Sequence, residues 1–211
     1  MSNINFFRLM QSGGVSDPVP PGTVRTVVFV AALTETTSTW SNVTSPSVSG
    51  AINYGWDPCA NPVENGDTNS NAIIAQSGHT NSAAKYCLDF SSGGYNDWYL
   101  GSNTEVGWMI GDIYNNANNP NATTLQNIIT NASGDAVGTG YYWSSSQATS
   151  PATQAIIQRI TAGSITSKSN TLPTRPQKTL VFSPTSQYSV GDLAFGGIIF
   201  RMAQLTYGNV C

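Results

Sequence analysis

Hydrophobic and polar positions along this chain fall into a few readable patterns, separated by long polar stretches. Residues 23 to 33, "TVRTVVFVAAL", are a β-branched run typical of a buried strand. From Thr34 to Gly78 the apolar signal nearly vanishes among Ser, Thr, Asn, Gly and Pro, which predicts a long irregular loop. Asn81 to Phe90 then reads as a short helix with Ala83, Ala84, Cys87, Leu88 and Phe90 on its apolar side and Gly93-Gly94 stopping it. A second helix is predicted more strongly. Ser102 and Glu105 have the spacing of a capping box, and Val106, Met109, Ile110, Ile113 and Tyr114 follow at helical intervals. Leu125, Ile128 and Ile129 suggest one or two further helical turns. The remainder reads as strands: "GYYWSSSQ", then "QAIIQRI" and "SITSKS" around Ala162-Gly163, then "TLVF", and "GGIIFRM" near the end. Helices early and a meander of strands late predict an α+β domain with two short helices on a mostly antiparallel sheet.

The first 22 residues differ from the rest. They end in Gly13-Gly14 and Asp17-Pro18-Val19-Pro20-Pro21-Gly22, which favours extended backbone and removes several hydrogen-bond donors. Residues 1–22 are therefore read as an arm and residues 23–211 as one domain. The arm carries Ile4, Phe6, Phe7, Leu9 and Met10, which are costly to leave in water, so Phe6, Phe7, Leu9 and Met10 are candidate contacts to the domain or to another subunit.

Composition narrows the function classes. Ser, Thr and Asn make up about a third of the chain, while only 9% of residues are charged. A net charge of -3 lacks the basic footprint that nucleic acid or an anionic membrane would select. No apolar run has the length of a membrane span or of a signal peptide, so synthesis in a cytoplasm is expected, and the sequons at Asn42, Asn121 and Asn131 carry no weight. Three cysteines without CxxC spacing and a single histidine predict no metal site and no cofactor. Cys59 and Cys87 are read as buried thiols, with a disulfide as the alternative.

One order of motifs stands out: a short helix, "GYNDWYL", a capped helix, "GYYWSSS", and a strand pair with a Gly turn. From about Val27 to Lys178 this order resembles the C-terminal domain of Legionella collagen-like adhesins, which also occurs in phage tail and surface proteins. The resemblance implies a C-type-lectin-like fold. It implies too that Trp98, Leu100 and Trp143 point into the core, with Ser144 to Ser146 forming a tight turn. The chain departs from the family pattern in three places. Gly101 replaces a proline, and "LPTRPQK" replaces a strand with two arginines, leaving Arg175 and Lys178 as stand-ins. "VGDLAFGGIIF", which usually precedes the other motifs, lies at residues 190–200. The last departure implies either a circular permutation or a strand lent to a neighbouring subunit, and the pairing expected is Gly197–Met202 with Arg25–Ala31.

Catalysis is the weaker chemical reading. The carboxylates in the motif regions are Asp89, Asp97, Glu105 and Asp112; Glu105 reads as a helix cap and Asp97 as the residue fixing the turn before Trp98. His79 has no nucleophile motif beside it. Calcium-dependent sugar binding lacks the Glu-Pro-Asn or Gln-Pro-Asp loop that such lectins use. The exposed aromatics expected to bind a ligand are Trp40, Tyr54 and Trp56, with Asn53 and Asp57 as hydrogen-bonding partners, because recognition loops combine rigid rings with adaptable amides. Taken with the resemblance, these features imply a non-enzymatic phage virion protein, oligomeric, on the tail or outer surface. It would bind a host surface glycan or protein, or serve as a passive assembly or decoration subunit. Its contacts to other virion subunits would run through the arm and the C-terminal strand.

Overall fold

The computed structural model describes residues 24–48, 50–51, 65–114, 122–160, 162–182 and 187–206. The chain is α+β, with four helices and antiparallel sheets among these residues. The apolar run becomes β1 (Val24–Ala32), the middle of a five-stranded sheet. It pairs on one side with β8 (Pro176–Phe182) and on the other with β10 (Gly197–Thr206); β3 (Tyr99–Leu100) and β9 (Leu193–Ala194) form the two edges. Gly197–Met202 thus lies against β1 as expected, within the same chain.

Alternation along β1 explains why its sequence has no polar face. Val27, Phe29 and Ala31 pack with the helices, and Val28, Val30 and Ala32 pack with Trp98, Leu180 and Ile199 on the opposite face. A bulge in β10 opposite Phe29 and Val30 breaks its alternation. Phe200 therefore joins the helix-side core while the next residue, Arg201, also turns to that side and grips Asp112 through two bonds of 2.6 and 2.9 Å.

The helix-side layer consists of α3 (Asn103–Ile113) and α4 (Ala122–Asn131). Val106, Met109, Ile110 and Ile113 of α3 and Leu125 and Ile129 of α4 face the sheet, which is the stripe that their spacing predicts. A third group of buried residues lies between α2 (Ala83–Asp89) and a three-stranded sheet of β4 (Tyr142–Gln147), β5 (Gln154–Arg159) and β6 (Ala162–Ser167); Trp143, Leu100 and Ile157 meet there.

Three expectations need correction. The stretch from Thr34 to Gly78 is not one irregular loop: it contains β2 (Thr36–Thr39), paired with β7 (Thr171–Thr174), and α1 (Asn65–Ile74). Helix α1 has no apolar stripe to reveal it, because it is held partly by polar groups. Buried Ser70 donates to Gly66 O and Leu100 O and accepts from Leu100 N. Ser144 to Ser146 are not a turn; they are the buried middle of β4. Finally there are four helices among the described residues, where two were expected with one or two further helical turns.

Candidate functional site

The motif "GGYNDW" meets the β9–β10 hairpin through its glycines. A Cβ on Gly93 would lie 2.7 Å from Gly196 Cα, and one on Gly196 would lie 2.2 Å from Ser92 O, so only two bare backbones can approach this closely. The hairpin turn itself is Phe195-Gly196, both at positive φ, 57° and 81°. That geometry suits a two-residue hairpin with right-handed twist but is unusual for a phenylalanine. Packing holds Phe195 there. Its ring lies 4.8 Å from Tyr188, 5.8 Å from Tyr95 and 5.8 Å from Phe182, centroid to centroid.

Phe182, Tyr188 and Phe195 pack on the sheet face opposite α3 and α4, with Val28, Val30 and Ile199, and Tyr95 joins them through Phe195. Phe182, Tyr188 and Phe195 are half-buried, Tyr95 is 37% exposed, and Asn96 beside it is exposed. Beneath Tyr95 sits Lys178, whose side chain has no exposed surface. Its ammonium is 4.1 Å from the Tyr95 ring centre and 5.3 Å from that of Trp98, and it pairs with Asp97. The ammonium holds one face of Tyr95 by a cation–π contact, and Phe195 meets the ring edge-on. The result is a rigid, partly exposed aromatic surface next to an amide and a carboxylate. Burial lowers the Lys178 pKa, opposed by its bond to Asp97 and then by that carboxylate's charge.

The expected site residues fall elsewhere. Trp40 is buried, with its indole N–H donating to Ser144 O at 2.8 Å and the Lys168 ammonium 4.6 Å from its ring centre. It is a core residue, because the strand β2 that leads to it carries it under the sheet edge and not out on a loop. Asn53, Tyr54, Trp56 and Asp57 lie outside the described residues, as do Phe6, Phe7, Leu9 and Met10 of the arm and Cys59. Trp98 and Trp143 are in the core as expected, at 1% exposure each. The residues that sequence reading missed are Tyr188, Phe195 and Phe182. Tyr95 was in view within its motif, but nothing in one dimension joins it to a turn a hundred residues away.

The remaining chemistry-bearing groups have partners of their own. Glu105 is a buried helix cap: it accepts from Ser102 N at 2.8 Å and from the Tyr99 hydroxyl at 2.9 Å, and burial raises its pKa against those bonds. Asp89 pairs with Lys85 on the surface. His79 Nε2 lies 2.9 Å from Ser82 Oγ, but that hydroxyl is buried and also accepts from Lys85 N as the cap of α2. Arg175 is buried and binds Glu35, Ala32 O, Leu33 O and Asp135 O, tying three segments together. Cys87 is a buried free thiol whose pKa is pushed up by burial. Among the described residues no three His, Cys, Asp or Glu side chains are grouped to hold a metal ion, and no helix is long and apolar enough to cross a membrane. Compared with family models, curated proteins and solved structures, the chain matches none.

Proposed function

We propose that this chain is a non-enzymatic virion structural protein whose domain is C-type-lectin-like and permuted, displayed on a phage tail or outer surface to bind a host surface glycan or protein. The observation that carries the binding role is the Tyr95–Tyr188–Phe195 surface. Rigid rings with a neighbouring amide and carboxylate can stack on an apolar sugar or side-chain face and hydrogen-bond its hydroxyls, at low entropic cost. The permuted reading rests on β10, a strand that usually precedes the other motifs, lying beside β1 while following all of them in sequence. A purified chain should bind a panel of bacterial cells or immobilised bacterial surface glycans. Tyr95→Ala should weaken that binding by about 1 to 3 kcal/mol with little change in thermal stability. Undiminished binding by a folded Tyr95→Ala protein would remove this surface from recognition.

A second reading, a passive assembly or decoration subunit, is favoured by β6. This edge strand, Ala-Gly-Ser-Ile-Thr-Ser, has no charge to discourage pairing and leaves Ile165 48% exposed. Failure of the wild-type chain to bind any cell or glycan would favour it.

A further inference from the structure

β6 is the open edge of the three-stranded sheet, and the bonds around it fix which of its backbone groups face outward. Lys168 N donates to Thr153 O at 3.0 Å, so Thr153 faces β6, and Ala155 and Ile157 follow at alternate positions. Ala148 N donates to Gln154 O at 3.2 Å and Ser144 Oγ to Ile156 O at 2.8 Å, so the residues between turn toward β4. Ala155 pairs with Thr166 and Ile157 with Ser164, which makes Ser164 and Thr166 the residues of β6 that bond to β5. The amides and carbonyls of Gly163, Ile165 and Ser167 therefore point away from the sheet. Asn170 N takes Ser167 O at 3.0 Å, which leaves Gly163 and Ile165 as the open pair among the described residues. The other edge of the sheet is covered, with Ser145 N donating to Gly101 O and Gln147 N to Ala51 O.

We propose that β6 pairs antiparallel with β6 of a second copy of this chain, about a two-fold axis at Ser164, joining two three-stranded sheets into one of six strands. This deepens the assembly reading, which supplies β6 as a contact, by naming the partner and the register. A two-fold must set each open residue against an open residue of the other copy. With the axis at Ser164, Gly163 of each copy meets Ile165 of the other, and each pair exchanges both backbone bonds. With the axis at Ile165, Gly163 would meet Ser167, whose carbonyl is already taken. The side chains agree with this choice. Gly163 and Ile165 share the face that carries Gln158 and Ile156, their partners on β5. A Cβ on Gly163 would lie 2.9 Å from Gln158 Nε2, so that position stays bare and puts no side chain in the way of Ile165 from the other copy. The two Ile165 side chains, each 48% exposed in the single chain, become diagonal neighbours. Residues 162–167 carry no charge, and the two-fold places the two Arg159 side chains, beside Ala162, at opposite ends of the ladder. Nothing therefore opposes self-pairing of an edge that lacks the usual charged guard. β3 and β9, the edges of the five-stranded sheet, have two residues each and offer no comparable ladder.

The test is sedimentation velocity of the full chain over a concentration series, which needs no virion, host cell or glycan. Its failure is thus separate from failure of the assembly reading, which cell and glycan binding decide. The wild-type mass should rise from one chain toward two with concentration. Ile165→Lys, which sets like charges on the diagonal, should remain one chain where the wild type is mostly dimer, with an unchanged circular dichroism spectrum. Ser164→Cys places the two Cβ atoms about 4.5 to 5.5 Å apart, so mild oxidation should give a dimer linked through position 164 that the wild type does not form. Thr166→Cys, which faces Ala162 of the other copy, should not link. A wild-type chain that stays single at every concentration overturns the proposal, and protection of its Ile165 amide from exchange would assign the edge to a segment of the same chain. A dimer indifferent to Ile165→Lys overturns it too, since another surface then holds the copies together. A dimer lost in Ile165→Lys but never linked in Ser164→Cys overturns the axis at Ser164.

Discussion

Lys168 is fully buried, and its ammonium meets only neutral partners among the described residues: Gln147 Oε1 at 2.8 Å, Pro46 O at 3.2 Å and the face of Trp40. Burial lowers its pKa from 10.5 to about 8. The unfolded chain therefore holds this proton more tightly than the folded one, so the penalty is fully present below about pH 8 and is relieved as pH rises toward 10.5. Replacing Lys168 by Met keeps the stem that packs on Trp40 and removes the charge. Denaturant unfolding should show Lys168→Met at least as stable as wild type at neutral pH, with a difference on the order of 1 to 3 kcal/mol. That difference should shrink as pH rises through the window. Taking the difference between the two proteins cancels Tyr142, whose pKa of about 12, raised chiefly by burial, makes it a titrating group in both. A constant difference across the window would show that the ammonium is not what the site resists.

At the level of elements, α3 and β4 are joined by hydroxyls where packing alone would allow sliding. Ser102 caps α3 by accepting from Glu105 N, and Glu105 returns a bond to Ser102 N, so the capping box expected from sequence is present on both sides. Ser146 Oγ then accepts from Asn103 N in the first turn of α3, Ser145 N donates to Gly101 O while its Oγ accepts from Asn69 Nδ2 of α1 at 3.3 Å, and Ser144 Oγ donates to Ile156 O across the sheet. Each serine of "YYWSSS" has a separate task, which explains three consecutive small polar residues in a fully buried strand. Ser102→Ala should cost about 1 kcal/mol, the usual value of an N-cap. Glu105→Ala should cost more, because the buried Tyr99 hydroxyl and Ser102 amide both lose their acceptor. Thermal unfolding of the two variants checks this order, and equal losses would mean that the carboxylate contributes nothing beyond the cap.

At the level of the molecule, the sheet is completed by the last described strand. β10 pairs with β1 along nine positions, from Val24 with Thr206 to Ala32 with Gly197, so the last described strand closes a core that the first one opens. A chain ending before Gly197 should lose cooperative unfolding, since Val27 to Ala32 would keep only β8 as a neighbour and Ile198, Ile199 and Phe200 would leave both faces of the core. A synthetic peptide spanning residues 197–211 should restore the native circular dichroism spectrum when added in excess. A truncated chain that folds without the peptide would show that β1 and β8 suffice.

Much of this was legible in the residues themselves. The buried strand, α3 with its cap, α2 and the late strands follow from local patterning, because burial on a helix or strand repeats at a fixed interval and leaves that interval in the sequence, whereas the core positions of Trp98 and Trp143 are implied by the resemblance of the motif order. Helix α1 left no such trace, since Ser70 and Asn69 take buried places where a stripe would put apolar side chains. Trp40 misled for a related reason: its neighbours are polar, yet β2 pairs with β7, some 130 residues on, and carries it inside. The aromatic surface and the Lys178–Asp97 contact were out of reach altogether. They are made by residues near positions 95 and 180 to 195, brought together by strand order and by the contact of Gly93 with Gly196. Local spacing determines which segments become elements and which face each buries. Which distant side chains become neighbours is decided only when those faces pack, because that choice minimises exposed apolar surface over the whole chain and no single segment contains it.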